Sequence, residues 1–307
     1  MVRHFLDIAD HDRATLRAIL GDAERMKADW KSGARMHQRA LLKDQTLAML
    51  FERPSTRTRV SFDVAMSQLG GHAIVLSSDD LQLGRGETIA DTAQVLSRMV
   101  DCIMLRTGNH DKLGELASFA QVPVINGLTH RTHPCQVMAD IMTFEQHLGP
   151  VEGRTIAWVG DGNNMVRSLL QAAARLGFAM RIASPAAYAI DEASVTFARD
   201  NGAEVLLTQD TVEAVMGADC VITDTWVSMG DTDEKERRAA FASFSVTAAL
   251  MEIAAANAIF MHCLPAHRGE EASDEVLDGP RSVIWDEAEN RLHVQKAILA
   301  WCLQADY

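Results

Sequence analysis

Thr46-Leu47-Ala48-Met49-Leu50-Phe51-Glu52-Arg53-Pro54-Ser55-Thr56-Arg57-Thr58-Arg59 decides the fold. The first six residues are a short, mostly apolar run of strand length. Ser55 or Thr56 is a good N-cap, and residues 56–69 carry a helical pattern. A strand that passes through a short polar turn into a helix is the unit from which parallel sheets wrapped by helices are built.

The same rhythm continues outward from this stretch. Residues 73–76 read as a strand, 87–100 as a helix, 102–106 as a strand, 111–120 as a helix, 123–126 as a strand and 136–148 as a helix. Gly149-Pro150-Val151-Glu152-Gly153 breaks the pattern, which then restarts. Strands are expected at 155–159, 180–183, 204–207, 220–223, 259–262 and 283–285, with helices between them. The expectation is an α/β fold of two doubly wound parallel-sheet domains, 1–149 and 150–307. Helices at 13–30 and 288–303 are each able to cross and pack on the other domain.

Bulk composition narrows the function. At 307 residues the chain has the length of two domains. Its 48% hydrophobic and 23% charged residues are those of a globular protein. The net charge of -13 argues against a nucleic-acid partner, which needs a basic face. It leaves room for an anionic metabolite, because local arginines can reverse the field inside a cleft. Cys102, Cys135, Cys220, Cys263 and Cys302 show neither metal-ligand spacing nor a disulfide framework, so reduced thiols and a cytoplasmic location are expected. The first ten residues do not read as a signal peptide, and the apolar region around 248–266 is interrupted by Glu252, Asn257 and His262, so no membrane span is expected.

In open parallel sheets ligands bind beyond the carboxyl ends of the strands. Ser55-Thr56-Arg57-Thr58 lies at such an end. Backbone N–H groups at a helix start, two or three hydroxyls and a guanidinium make an anion site. Arg106 closes the strand Cys102-Ile103-Met104-Leu105, and a charged residue finishing a buried strand is more than packing. His133-Pro134-Cys135-Gln136 places an imidazole and an amide at a strand-to-helix junction. Trp158-Val159-Gly160-Asp161-Gly162-Asn163-Asn164-Met165 starts like a dinucleotide fingerprint. Met165 replaces the third glycine, and no acid ends the next strand at Ala183-Ser184-Pro185, so a nicotinamide dehydrogenase is disfavoured.

In their order and residue types these motifs resemble the aspartate and ornithine carbamoyltransferase family. The resemblance runs from about Phe51 to Arg291. It implies a carbamoyl-phosphate site of Ser55, Thr56, Arg57, Thr58, Arg106, His133, Gln136, Cys263, Leu264 and Arg291. It adds Gln82, on a loop that in the family reaches a neighbouring subunit's site, and so implies a homotrimer or a multiple of trimers with shared sites. Asp224-Thr225-Trp226-Val227-Ser228-Met229-Gly230 and His262-Cys263-Leu264-Pro265 resemble the ornithine-specific members. The amino-acid site would then comprise Asn164, Asp224, Ser228 and Met229, with Asp224 at the α-amino group. Arg57, Arg106, His133, Asp224 and Cys263 are the expected catalytic residues. The implied substrates are carbamoyl phosphate and L-ornithine, and the reaction calls for no metal and no organic cofactor. Putrescine, N-acetylornithine or aspartate as acceptor, and a catalytically silent regulatory member, are the competing readings.

Overall fold

The computed structural model describes residues 2–78, 86–228, 232–305 and 307. Among the described residues nine strands form two sheets. The first contains β1 (Thr46–Phe51), β2 (His72–Ser77), β3 (Cys102–Arg106) and β4 (Val124–Leu128) in the order β2-β1-β3-β4. The second contains β5 (Thr155–Val159), β6 (Ala179–Ala183), β7 (Val205–Thr208), β8 (Cys220–Thr223) and β9 (Ile259–His262) in the order β7-β6-β5-β8-β9. Every pairing between these strands is parallel.

Both orders are doubly wound. From β1 the chain builds β2 on one side, then returns past β1 to build β3 and β4 on the other. From β5 it builds β6 and β7, then returns to build β8 and β9. The connections leave β1 and β3 in opposite directions, and likewise β5 and β8. Their carboxyl ends therefore flank a crevice in each sheet.

The two sheets fix the central pair with the same device. The Thr46 N–H donates to Asp101 Oδ2 at 2.7 Å, and the Asp101 N–H donates to the Thr46 carbonyl at 2.9 Å. The Thr155 N–H donates to Asp219 Oδ2 at 2.9 Å, and the Asp219 N–H donates to the Thr155 carbonyl at 2.9 Å. Asp101 and Asp219 each stand immediately before the returning strand, so each locks the start of the first strand against the start of its switch partner.

The chain falls into two compact units, Met1–Ala139 with Asn290–Tyr307, and Asp140–Glu289. The helix Pro134–Leu148 leads out of the first unit, and the helix Ile284–Cys302 leads back into it. The N-terminal helix Arg13–Ser32 stays in the first unit. No helix among the described residues is long and apolar enough to cross a membrane.

One expected strand is absent. Residues 283–285 are not a strand, because the helix Ile284–Cys302 begins there. Ser282 makes only an isolated parallel bridge to Phe260, before Trp285, 64% exposed, turns outward on the first helical turn. A bridge of this length cannot register a strand.

Asp101→Ala should lower stability by about 1.5–3 kcal/mol, the worth of a hydrogen bond to a charged group. A urea midpoint equal to that of the unaltered chain would show that the lock is dispensable.

Candidate active site

At the first switch point the sequence has little choice of local structure. Ser55 is the N-cap of the helix Thr56–Gln68, and its side chain accepts from the Thr58 N–H at 3.3 Å. The first-turn N–H groups of that helix have no carbonyl four residues back, so they face whatever lies beyond β1. Thr58 is fully buried and is the hub. Its Oγ1 lies 3.1 Å from Ser55 Oγ and accepts from Arg106 Nη1 at 3.3 Å and from Arg291 Nη2 at 3.0 Å. Arg291 Nη1 donates to Gln136 Oε1 at 2.9 Å. The capped helix Thr56–Gln68, strand β3 and the helices Pro134–Leu148 and Ile284–Cys302 thus all deliver polar groups to the same point in the first unit.

Three guanidinium groups, from Arg57, Arg106 and Arg291, act on His133. Burial, the largest cause, and then the charges of Arg291, Arg106 and Arg57 hold its pKa well below the usual imidazole value. His133 is therefore neutral at neutral pH, and a neutral imidazole can donate one N–H without adding charge. Arg57 is half-buried, and its Nε has no hydrogen-bond partner among the described residues. Like charges gathered in a buried place repel, and an entering oxyanion offsets that repulsion. Thr56 is exposed at the rim. The arrangement is a cradle for a phosphate-like group with donors left over for a neighbouring carbonyl.

The second unit builds a different site at its own switch point. Asn163 caps the helix Asn164–Leu176, its side chain accepting from the Met165 N–H. The remaining amide NH2 donates to Asp224 Oδ2 at 2.8 Å. The Thr225 N–H donates to Asp224 Oδ1 at 2.8 Å, and Cys263 Sγ donates to the same oxygen at 3.1 Å. Burial, then the Asp224 charge, raises the Cys263 pKa well above the usual thiol value, so the sulfur keeps its proton and serves as a donor. Cys263 and Asp224, two separate candidates in the sequence, form one hydrogen-bonded pair. A carboxylate with donors on both oxygens is held in one orientation, which suits it to an ammonium group. Ser228 lies half-buried four residues further along the same loop.

Gly162 explains the abandoned dinucleotide signature. A Cβ there would lie 2.2 Å from the Ile190 nitrogen. The glycine is required by a neighbouring backbone rather than by a pyrophosphate. Leu264 sits at a φ of 59°, a costly angle for a branched side chain. Its N–H donates to His262 Nδ1 at 2.8 Å, while His262 Nε2 lies 3.1 Å from Glu271 Oε1. Asp224, His262 and Cys263 bring ligand-type atoms within 4.8 Å of one another, as do His267, Glu270 and Glu271. In the first group both ring nitrogens of His262 are already engaged, which leaves two ligand atoms rather than three.

The structure thus brings Ser55, Arg57, Thr58, Arg106, His133, Gln136 and Arg291 together in the first unit. In the second it brings Asp224, Cys263 and Leu264 together. Asn164 follows the cap and is half-buried, but its neighbour Asn163 is the residue bonded to Asp224. The preference of asparagine for N-cap positions was the signal available for choosing between them. Gln82 and Met229 lie outside the described residues.

Fold and sites together define an α/β protein of two doubly wound units, one carrying a hydroxyl-lined cluster of arginines and the other a hydrogen-bonded carboxylate. Family models agree. The carbamoyl-P binding domain of aspartate/ornithine carbamoyltransferase matches residues 3–146, and the Asp/Orn binding domain matches residues 152–302. The chain is 58% identical to an ornithine carbamoyltransferase of Rhodopseudomonas palustris over 305 residues, 99% of this chain and 98% of the relative. It superposes on the ornithine carbamoyltransferase of Pyrococcus furiosus with a TM-score of 0.94 at 48% identity, covering 99% of this chain and 98% of that one. For the anabolic ornithine carbamoyltransferase of Campylobacter jejuni the TM-score is 0.90 at 42% identity, covering 98% of each chain. The chain belongs to the aspartate/ornithine carbamoyltransferase family.

His133 yields a pH prediction. Its folded pKa is depressed, so the unfolded chain takes up a proton that the folded chain refuses once pH falls below about 6.5. Its contribution is absent above that pH and becomes destabilising below it. His133→Gln should flatten the acid side of the stability profile by up to one proton, measured by urea unfolding between pH 5 and pH 7. An identical slope in the variant would contradict the buried neutral imidazole.

Proposed function

We propose that the chain transfers the carbamoyl group from carbamoyl phosphate to the δ-amine of L-ornithine, giving L-citrulline and phosphate. The observation that carries this reading is the pairing of two unlike sites in one chain. One is a cationic hydroxyl-lined cradle around Thr58, and the other is the Asn163–Asp224–Cys263 carboxylate site. The full-length similarity to ornithine carbamoyltransferases supports the same acceptor. On this reading 1–149 is the carbamoyl-phosphate-binding domain and 150–307 the ornithine-binding domain.

Ser55, Thr56, Thr58 and the first-turn N–H groups hold the phosphate oxygens, with Arg57, Arg106 and Arg291 neutralising its charge. Gln136 takes the carbamoyl NH2, and Cys263 and Leu264 are the carbamoyl-phosphate-binding residues contributed by the second unit. Asp224 takes the α-amino group of ornithine, with Asn164, Ser228 and Met229 lining the amino-acid site. The δ-nitrogen attacks the carbonyl carbon, a C–N bond forms, and negative charge gathers on the carbonyl oxygen. Arg57, Thr58 and the neutral His133 stabilise that oxygen. The C–O bond to phosphate then breaks, and the departing phosphate accepts the proton from nitrogen.

A free alkylamine has a pKa near 10.4, so presenting it uncharged at neutral pH costs about 4 kcal/mol. Desolvation of the bound amine lowers that cost. Cys263, held protonated, is not the base that removes the proton; it aims Asp224. We place the reaction in arginine biosynthesis, in keeping with the anabolic relative. The free thiols are in keeping with a cytoplasmic enzyme. We also propose a homotrimer or a multiple of trimers, with Gln82 reaching a neighbouring subunit's site. Val60, Ile74 and Met99, exposed apolar side chains of the first unit, are in keeping with such an assembly.

Citrulline formation from carbamoyl phosphate and L-ornithine, with putrescine, N-acetylornithine and aspartate as competing acceptors, is the deciding assay. Preference for any of the other three would overturn the acceptor. Arg57→Ala should lower kcat by at least about 10²–10³, the usual cost of one preorganised oxyanion donor, while the fold survives. Full activity in that variant would remove the cradle from the mechanism. Cys263→Ala should chiefly raise the KM for ornithine, and an unchanged ornithine dependence would detach the thiol from the amino-acid site.

A further inference from the structure

Arg237 belongs to none of the motifs that point to the substrates, yet it is only 7% exposed. It lies on the helix Glu234–Phe241, after the stretch that carries Asp224 and Ser228. Its Nε donates to the Trp226 carbonyl at 2.5 Å. Its Nη2 forms an ion pair with Asp161, the residue between Gly160 and Gly162. The guanidinium stacks 4.6 Å from the Tyr188 ring centroid and 5.5 Å from that of Phe241. Tyr188 OH in turn donates to Asp233 Oδ2 at 3.0 Å, and Asp233 lies 4.0 Å from Arg237 Nη1. Trp226 itself stacks on Phe241, with centroids 6.1 Å apart and planes 18° apart.

These contacts join the two loops of the second switch point. Asp161 sits two residues before Asn163, which donates to Asp224 Oδ2. Trp226 sits two residues after Asp224. The other side of Asp161 is pinned as well, because its carbonyl accepts from Trp158 Nε1 at 2.9 Å. The loop after β5 and the loop after β8 are therefore tied twice, once through Asn163–Asp224 and once through Asp161–Arg237–Trp226. Only a planar fork with several donors can hold a carboxylate and a carbonyl from different loops at once. A lysine, with one nitrogen at the end of a flexible stem, reaches one or the other.

We propose that Arg237, with Asp161, is a positioning residue that sets the geometry of the Asn163–Asp224 site and thereby the affinity for the amino-acid substrate. This rests on the reading of Asp224 as the carboxylate that meets the acceptor's α-amino group. Arg237 does not touch the substrate. Its effect passes through the two loop backbones, and the oxyanion cradle of the first unit is built without it.

The test uses the full-length enzyme and the variants R237K and D161N, which keep polar groups in the buried site, where truncation to alanine would leave a partner stranded. Citrulline formation by the unaltered enzyme is measured first, so failure of the proposed reaction shows itself before any variant is read. In R237K the KM for L-ornithine should rise about fivefold or more, with the KM for carbamoyl phosphate within twofold of the unaltered value. D161N should shift ornithine KM in the same direction. R237K/D161N should show less than the product of the two single effects, because both act through one contact. An unchanged ornithine KM in a folded R237K, or a parallel rise in the KM for both substrates, would overturn the proposal. Should R237K fail to fold, D161N alone decides by the same KM split.

Discussion

In a parallel sheet every strand presents its carboxyl end to the same edge, and connections can part at that edge only where the winding reverses. Each sheet of this chain reverses once, between β1 and β3 and between β5 and β8. Asp101 and Asp219 secure the opposite ends of those strand pairs. With the starts fixed and the strands short, the carboxyl ends are level, Phe51 beside Arg106 and Trp158 beside Ile222. Ser55 to Thr58 then faces Arg106, and Asn163 faces Asp224, without any long loop having to be ordered for the purpose. The precision of the sites is a property of the sheets.

The first site shows how local charge departs from net charge. The chain carries -13, yet Arg57, Arg106 and Arg291 all act on one buried imidazole. Thr58 makes that crowding tolerable by accepting from two of the guanidinium groups. Gln136 accepts from one of them through its oxygen. The result is a field that favours an anion and disfavours protonation of His133, and one cause produces both effects. In the second unit the logic inverts. A single carboxylate is surrounded by neutral donors from Asn163, Thr225 and Cys263.

Local pattern made most of the strands legible, because short apolar runs separated by helical spacing leave few alternatives. The failure at 283–285 is instructive. Three bulky residues look like a strand, but the pairing with Phe260 ends at Val283 and Ile284 already opens the helix. The Ser55 cap was legible because capping is local. The role of Thr58 as hub was not, since its partner Arg291 lies far along the chain and a hydroxyl does not announce what it will bond. The neutrality of His133 depends on burial and on three distant charges, none of which a sequence window contains. Arg237 escaped for the same reason. In the run Glu234-Lys235-Glu236-Arg237-Arg238 it looks like one more solvated charge, and only the fold separates it from exposed neighbours.

The His262-Cys263-Leu264-Pro265 run gains a physical explanation from this contrast. Cys263 donates to Asp224, while its flanking residues are bonded to each other and to Glu271. Leu264 is held in a left-handed conformation that costs roughly 1–3 kcal/mol for such a residue, and it persists only if the surroundings enforce it. His262 does so by accepting the Leu264 N–H with Nδ1, which requires the proton on Nε2. Glu271, fully buried, lies where it accepts that proton's hydrogen bond and so selects the tautomer. The His262 N–H is fixed in turn by Glu287 Oε2 at 2.8 Å. The histidine therefore serves the backbone, and the thiol beside it is aimed because the backbone on either side cannot relax. Residues that look like a chemical signature in sequence are here one donor to Asp224 and the braces that keep it in place.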